Sequence, residues 1–162
     1  MEAIKYQSFS FKNHQYIIAG NNDSLQFVGS WDKGVSELIE FFPNSQIVEV
    51  KTGLEKYQKQ LKEYFNHQRT TFTIPFEFHG TDFQKAVWKQ LLEIPYGQTR
   101  SYTQIAQAIG RPSSVRAVGS AIGKNPLLIV VPCHRVLTKD NRLGGYRGGL
   151  EMKQSLLQLE KN

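Results

Sequence analysis

The chain has 162 residues, 40% of them apolar and 21% charged, ordinary values for a folded protein able to bury a core, and this argues against disorder. The longest apolar run, residues 127–131, falls far short of the ~20 residues a membrane span needs, and Met1-Glu2-Ala3-Ile4-Lys5-Tyr6 lacks the basic-then-apolar layout of a secretory signal, so a cytoplasmic protein with no membrane partner is expected. The net charge of +6 is uneven: eight Lys/Arg and eight Asp/Glu cancel over residues 1–75, and twelve against six over residues 76–162 leave the whole excess there. An excess confined to one half points to a polyanion partner for that half, although a merely soluble basic surface would look the same.

The first half reads as mixed strand and helix. Apolar residues alternate over 4–11, a second short run covers 16–19, and Gly20-Asn21-Asn22-Asp23 supplies turn chemistry before a third run at 25–28. Residues 35–42 suit a short helix stopped by Pro43, and 47–50 suit another strand. Over 54–65 the spacing of Leu54, Tyr57, Leu61 and Phe65 makes one helical stripe with lysines opposite. Residues 72–79 alternate around Pro75 and lead out of this half. No cluster here proposes chemistry, so its expected role is scaffold.

The second half opens with Thr81-Asp82-Phe83-Gln84, a capping-box spacing that predicts a helix carrying Phe83, Val87 and Leu91. Pro95 and Gly97 end it. A second such box, Ser101-Tyr102-Thr103-Gln104, opens a short helix through Ile105 and Ile109, and a third helix follows over 114–123, expected to bury Val115, Val118 and Ile122. The two short helices joined by Gly110-Arg111-Pro112 outline a helix-turn-helix or an ordinary αα-corner; the residues leave both open. The outer face of the later helix, with Arg116, Ala117, Gly119 and Ser120, is small apart from one arginine.

Next comes the chemistry. The run 127–131 reads as an apolar strand that delivers Pro132-Cys133-His134-Arg135-Val136 at its end. The only cysteine excludes an internal disulfide, and His14, His67, His79 and His134 are too widely spaced to complete a zinc site, so no metal is expected. A lone thiol is commonly just a small buried hydrophobe. A free thiol titrates near ~8.5 and needs a base or a positive charge to react at neutral pH; His134 is placed to supply the base, through a water because adjacent side chains diverge in extended backbone, and Arg135 the positive environment. Further on, residues 144–149 (Gly-Gly-Tyr-Arg-Gly-Gly) form a flexible loop or surface turn ahead of a final helix over 150–160.

Pro132-Cys133-His134-Arg135-Val136, followed by Gly145-Tyr146-Arg147-Gly148-Gly149-Leu150, closely resembles the O6-alkylguanine-DNA alkyltransferases, also called methylated-DNA–protein-cysteine methyltransferases. The likeness extends through Arg116-Ala117-Val118-Gly119, Asn125-Pro126, Ser101-Tyr102 and the helix bearing Trp88, about residues 80 to 160. The first half is similar to the family's N-terminal domain only in length and strand–helix rhythm; with the reading of the residues above, an α/β chain is expected, a small mixed strand–helix domain over 1–78 and a mainly helical domain with a helix-turn-helix over 79–162.

The resemblance also implies an activity, direct reversal of O6-alkylguanine in double-stranded DNA, with O4-alkylthymine an open second substrate, by a monomer that needs no cofactor. The alkyl group moves irreversibly to Cys133, so each molecule acts once. His134 draws off the thiol proton through water, Glu160 orients His134, Asn125 braces the turn, and Tyr102 donates to guanine N3. Tyr146 walls the pocket, while backbone groups of Val136 and the Arg147 loop read the base edges. Arg116 fills the space left by a flipped nucleotide from the minor groove, with Ala117, Thr103 and Arg111 completing the DNA-facing set. Two departures stand out. A single-cysteine chain cannot reproduce the zinc site that some members carry in their first domain, and Arg147 stands where many relatives have a small residue, which bears on pocket width and alkyl-size preference.

Overall fold

A computed structural model describes residues 3–162; Met1 and Glu2, the start of the stretch read as lacking a secretory layout, lie outside the described residues. The chain divides into two compact units, Met1–Glu77 and Phe78–Asn162. Among the described residues no helix is long and apolar enough to cross a membrane.

In the first unit the predicted alternation becomes a four-stranded sheet. β1 (Ala3–Phe11), β2 (His14–Gly20), β3 (Leu25–Val28) and β4 (Gln46–Glu49) lie in the order β3-β2-β1-β4, with β1 antiparallel to β2 and parallel to β4. Successive side chains of a strand face opposite ways, so each face receives its own helix. Ile4, Ile17, Ala19 and Phe27 pack with Leu38 of α1 (Val35–Phe41). On the other face Phe11 and Tyr16 meet Phe65 of α2 (Glu55–Phe65), with ring centroids 5.1 Å apart in both pairs. The stripe read from sequence is buried as expected, and Tyr64 joins it at 0% exposure. Residues 72–79 form no strand; their one ladder contact is a parallel bridge from Phe76 to Leu25.

The second unit is mainly helical: α3 (Asp82–Leu91), α4 (Tyr102–Ala108), α5 (Val115–Gly123) and α6 (Leu150–Lys161). Both capping boxes are present in full. Thr81 and Ser101 accept from the backbones of Gln84 and Gln104, whose side chains return to the cap backbones. The buried face of α5 is Val118, Ala121 and Ile122, with Val115 only half-buried. Trp88 ties α3 to α5 by donating from its indole N–H to Ala121 O at 2.8 Å. A two-residue parallel pairing of β5 (Arg100–Ser101) with β6 (Val136–Leu137) sets Arg100 beside Val136. This short ladder fixes the start of α4 against the segment that follows Cys133.

Residues 127–131 are not the strand that their composition suggested. They are buried turns, with Val130 N–H reaching back to Leu128 O at 2.8 Å, Val131 N–H to Leu127 O at 3.0 Å, and Ile129 at φ 73°. A β-branched residue at positive φ is strained by about 1–3 kcal/mol. The Asn125 side chain does what a neighbouring strand would otherwise do: its Oδ1 accepts from Leu127 N–H (2.9 Å) and its Nδ2 donates to Val131 O (3.0 Å).

Candidate active site

The turn ends in a short 3-10 helix, Cys133–Arg135, that carries the three polar residues of the motif inward; Cys133 is 2% exposed, His134 0% and Arg135 6%. Cys133 lies on a cavity of about 410 Å³ lined also by Tyr102, Gly119, Ile122, Gly123, Gly145, Tyr146 and Arg147. The structure therefore gathers Cys133, Tyr102, Tyr146 and Arg147 around one space. His134, Glu160 and Asn125 stand behind it.

Asn125 Nδ2 donates to Cys133 Sγ at 3.2 Å, so the side chain that holds the turn also touches the thiol. Burial pushes the thiol above its ordinary value, because a thiolate loses its water there; the Asn125 contact and the charges of Arg147 and Lys153 pull it back only in part.

His134 Nε2 lies 2.7 Å from Glu160 Oε2. Burial lowers the pKa of this imidazole more than Glu160 raises it, so it is neutral. A carboxylate can only accept, hence Nε2 carries the hydrogen and Nδ1 is left as the basic atom. Nδ1 is buried and has no hydrogen-bond partner among the described residues.

Arg135 does not provide the positive charge near the thiol that was expected of it. Its guanidinium grips Glu160 with two bonds, Nε to Oε1 at 2.8 Å and Nη2 to Oε2 at 2.9 Å, and its Nη1 donates to Ile94 O at 2.7 Å. This buried fork holds the Glu160 carboxylate aimed at His134. Residue 134 and residue 135 thus converge on one carboxylate, a geometry that a 3-10 turn allows and an extended chain does not.

The cations felt at Cys133 are Arg147 and Lys153, and sequence reasoning passed over the second. Lys153 is 0% exposed; its ammonium donates to Val136 O at 2.6 Å, to Gly145 O at 3.2 Å and to Leu143 O, and desolvation brings its pKa down to about 8. A signal was present. Lys153, Leu156 and Glu160 follow the spacing of one helix face, all three are buried, and two charges on an apolar stripe mark residues held by internal partners.

Tyr102, the first residue of α4, donates its hydroxyl to Gly145 O at 3.3 Å. Burial foremost, then the neighbouring Cys133, raises its pKa, so it remains a donor at neutral pH. Val136 is buried but does not line the cavity: its N–H bonds to Cys133 O and its carbonyl receives Lys153. Thr103 at the start of α4 is half-buried, while Arg116 and Ala117 on α5 are exposed. Arg111, in the connection before α5, is exposed and sits 5.9 Å above the Phe83 ring.

Comparison with known proteins gives a consistent set of relatives. Residues 82–162 match the family described as 6-O-methylguanine DNA methyltransferase, DNA binding domain. The inducible methylated-DNA–protein-cysteine methyltransferase of Bacillus subtilis is 52% identical over 155 residues, 93% of this chain and 87% of that protein. A methylated-DNA–protein-cysteine methyltransferase of Methanosarcina acetivorans is 42% identical over 144 residues, 89% and 90% of the two chains. Among solved structures, Mycobacterium tuberculosis OGT in complex with DNA superposes with a TM-score of 0.87 at 38% identity, covering 97% of this chain and 92% of that one. An O6-methylguanine-DNA methyltransferase from Pyrococcus kodakaraensis does so with 0.77 at 26% identity, covering 98% and 99%.

Proposed function

The chain belongs to the family of methylated-DNA–protein-cysteine methyltransferases, and from that premise we infer that it repairs DNA by direct reversal, taking the alkyl group of O6-alkylguanine onto its own Cys133. The observation that supports this most is the layered arrangement behind one cavity: a thiol contacted by Asn125, then a neutral imidazole aligned by Glu160, which Arg135 holds in turn.

The resting sulfur is a thiol, so the reaction begins with its proton. His134 Nδ1 accepts that proton through a bridging water while Sγ attacks the alkyl carbon. The S–C bond forms as the C–O6 bond breaks, and the electron pair leaves on guanine. Tyr102, held as a donor, hydrogen-bonds N3 of the leaving base as negative charge develops there, and the proton taken up by His134 is returned to neutralise the base. Charge passes from a buried sulfur to a base hydrogen-bonded by a preset donor, which favours the transition state over the ground state. The product is a thioether, and nothing in the site hydrolyses it, so each molecule acts once.

The target carbon is out of reach in stacked duplex, so the nucleotide is extruded, at a cost of a few kcal/mol. Arg116, exposed on α5, fills the gap from the minor groove. Ala117 and Thr103 keep the approach close, and Arg111 adds charge beside the duplex. The protein works as a monomer on double-stranded DNA.

The test mixes the protein with duplex carrying one O6-methylguanine and follows intact mass. One methyl on Cys133, with product stopping at the amount of active protein, is expected. Product continuing past that plateau would mean a hydrolase, and binding without an adduct a non-catalytic lesion sensor.

A further inference from the structure

Arg147 reaches from the glycine-rich loop to the turn that carries the nucleophile. Its Nε and Nη2 both donate to the backbone oxygen of Asn125, at 3.2 and 3.0 Å. Asn125 is the residue whose amide touches Cys133 Sγ, so a single guanidinium joins the wall of the cavity to its floor. We propose that Arg147 is the clamp that sets how large an alkyl group the cavity accepts, a specificity role for its side chain that rests on the alkyl-transfer reading above.

Three features argue for the clamp. The loop has little stiffness of its own, with glycine at 144, 145, 148 and 149 and positive φ at Gly144 (65°) and Gly149 (92°), so its position depends on what ties it down. Lys153 ties residues 143 and 145 on one flank, and Arg147 ties the other. The Tyr146 ring lies close against Gly148, where an added Cβ would meet both the ring and Met152 Sδ at 2.6 Å, so it is hemmed in on that side. The remaining lining is Tyr102, set on α4 and bonded to Gly145 O, Cys133 in its turn, Gly145 itself, and Gly119, Ile122 and Gly123 on α5. The movable wall is therefore Arg147. Its planar fork is pre-organised for two bonds, which an ammonium at the same place would not reproduce.

A methyl group is attacked efficiently only if the cavity closes around it and fixes the carbon opposite Sγ; displacement by about 1 Å costs up to ~100-fold. A benzyl group needs the room that the clamp denies. The experiment compares single-turnover rate constants on one duplex sequence carrying either O6-methylguanine or O6-benzylguanine, for wild type, Arg147→Ala and Arg147→Lys. The benzyl-to-methyl ratio is expected to rise about tenfold or more in Arg147→Ala, with methyl transfer slowed. In Arg147→Lys the charge stays and the fork is lost, so the ratio should move in the same direction while the pH dependence of Cys133 alkylation by iodoacetamide keeps its wild-type midpoint. If Arg147→Ala does not fold, the lysine variant decides alone. An unchanged ratio in the folded variants overturns the clamp. Wild-type protein that takes neither alkyl group onto Cys133 overturns the alkyl-transfer reading instead.

Discussion

At the scale of single residues, one buried carboxylate gathers two side chains of the cysteine motif. Glu160 receives His134 and Arg135 together, and burial foremost, with the arginine's charge added, keeps the imidazole neutral. Replacing Cys133 with serine leaves this frame intact but substitutes a far weaker nucleophile. Alkyl transfer in Cys133→Ser should fall below detection while gel-shift affinity for alkylated duplex stays within about twofold of wild type, since the hydroxyl fits the same space; label accumulating at the normal rate would exclude Cys133 as acceptor. His134 predicts a pH profile. Its folded pKa lies below the usual 6.5 because of burial, so between that lowered value and 6.5 the unfolded chain holds a proton that the folded chain does not. The stability contribution is complete above 6.5 and is lost as pH falls below it. The acid limb of the single-turnover rate should accordingly have its midpoint under 6.5. A midpoint above 6.5 would mean that the imidazole is stabilised as a cation.

At the scale of elements, legibility in the sequence followed how local the determinant was. The capping boxes at Thr81 and Ser101 and the stripe of α2 depend on neighbours within a turn or two, and both were readable. The turn at 127–131 was not: an uninterrupted apolar run has no period, so strand and buried coil look alike, and the deciding agent is the Asn125 side chain. Arg135 and Lys153 depend on contacts 25 and 17 positions away, which spacing does not reveal. Cys133 was readable because its motif is dense. For α5 the sequence also suggested an outward arginine, and Arg116 is exposed. Arg116→Ala should slow repair of duplex by about tenfold or more and leave reaction with the free O6-methylguanine base nearly unchanged, with stability altered by less than ~0.5 kcal/mol. The check is the rate at saturating duplex against the free-base rate: equal losses, or full recovery at saturation, would leave Arg116 as a phosphate contact only.

At the scale of the whole molecule, Lys153 sets stability and reactivity against each other. Desolvation lowers its pKa from 10.5 to about 8, so between those values the unfolded chain binds the extra proton and this group's contribution to stability rises with pH. The same discharge removes a cation that supports the Cys133 thiolate. The transfer rate should therefore show an alkaline limb near pH 8 without a matching fall in melting temperature from this group. Lys153→Met should abolish that limb, and a limb of unchanged midpoint in the variant would assign it to another group.

Glu160 lies 26 positions beyond His134, and this separation has a consequence for biosynthesis. A chain growing on the ribosome carries its sulfur before the carboxylate that aligns the base has been added. Until α6 is made and docked, Cys133 is an ordinary thiol on an unfinished polypeptide, no more reactive toward alkylating agents than any other. Alignment of His134 by Glu160 therefore waits for the last helix of the domain to be made and docked.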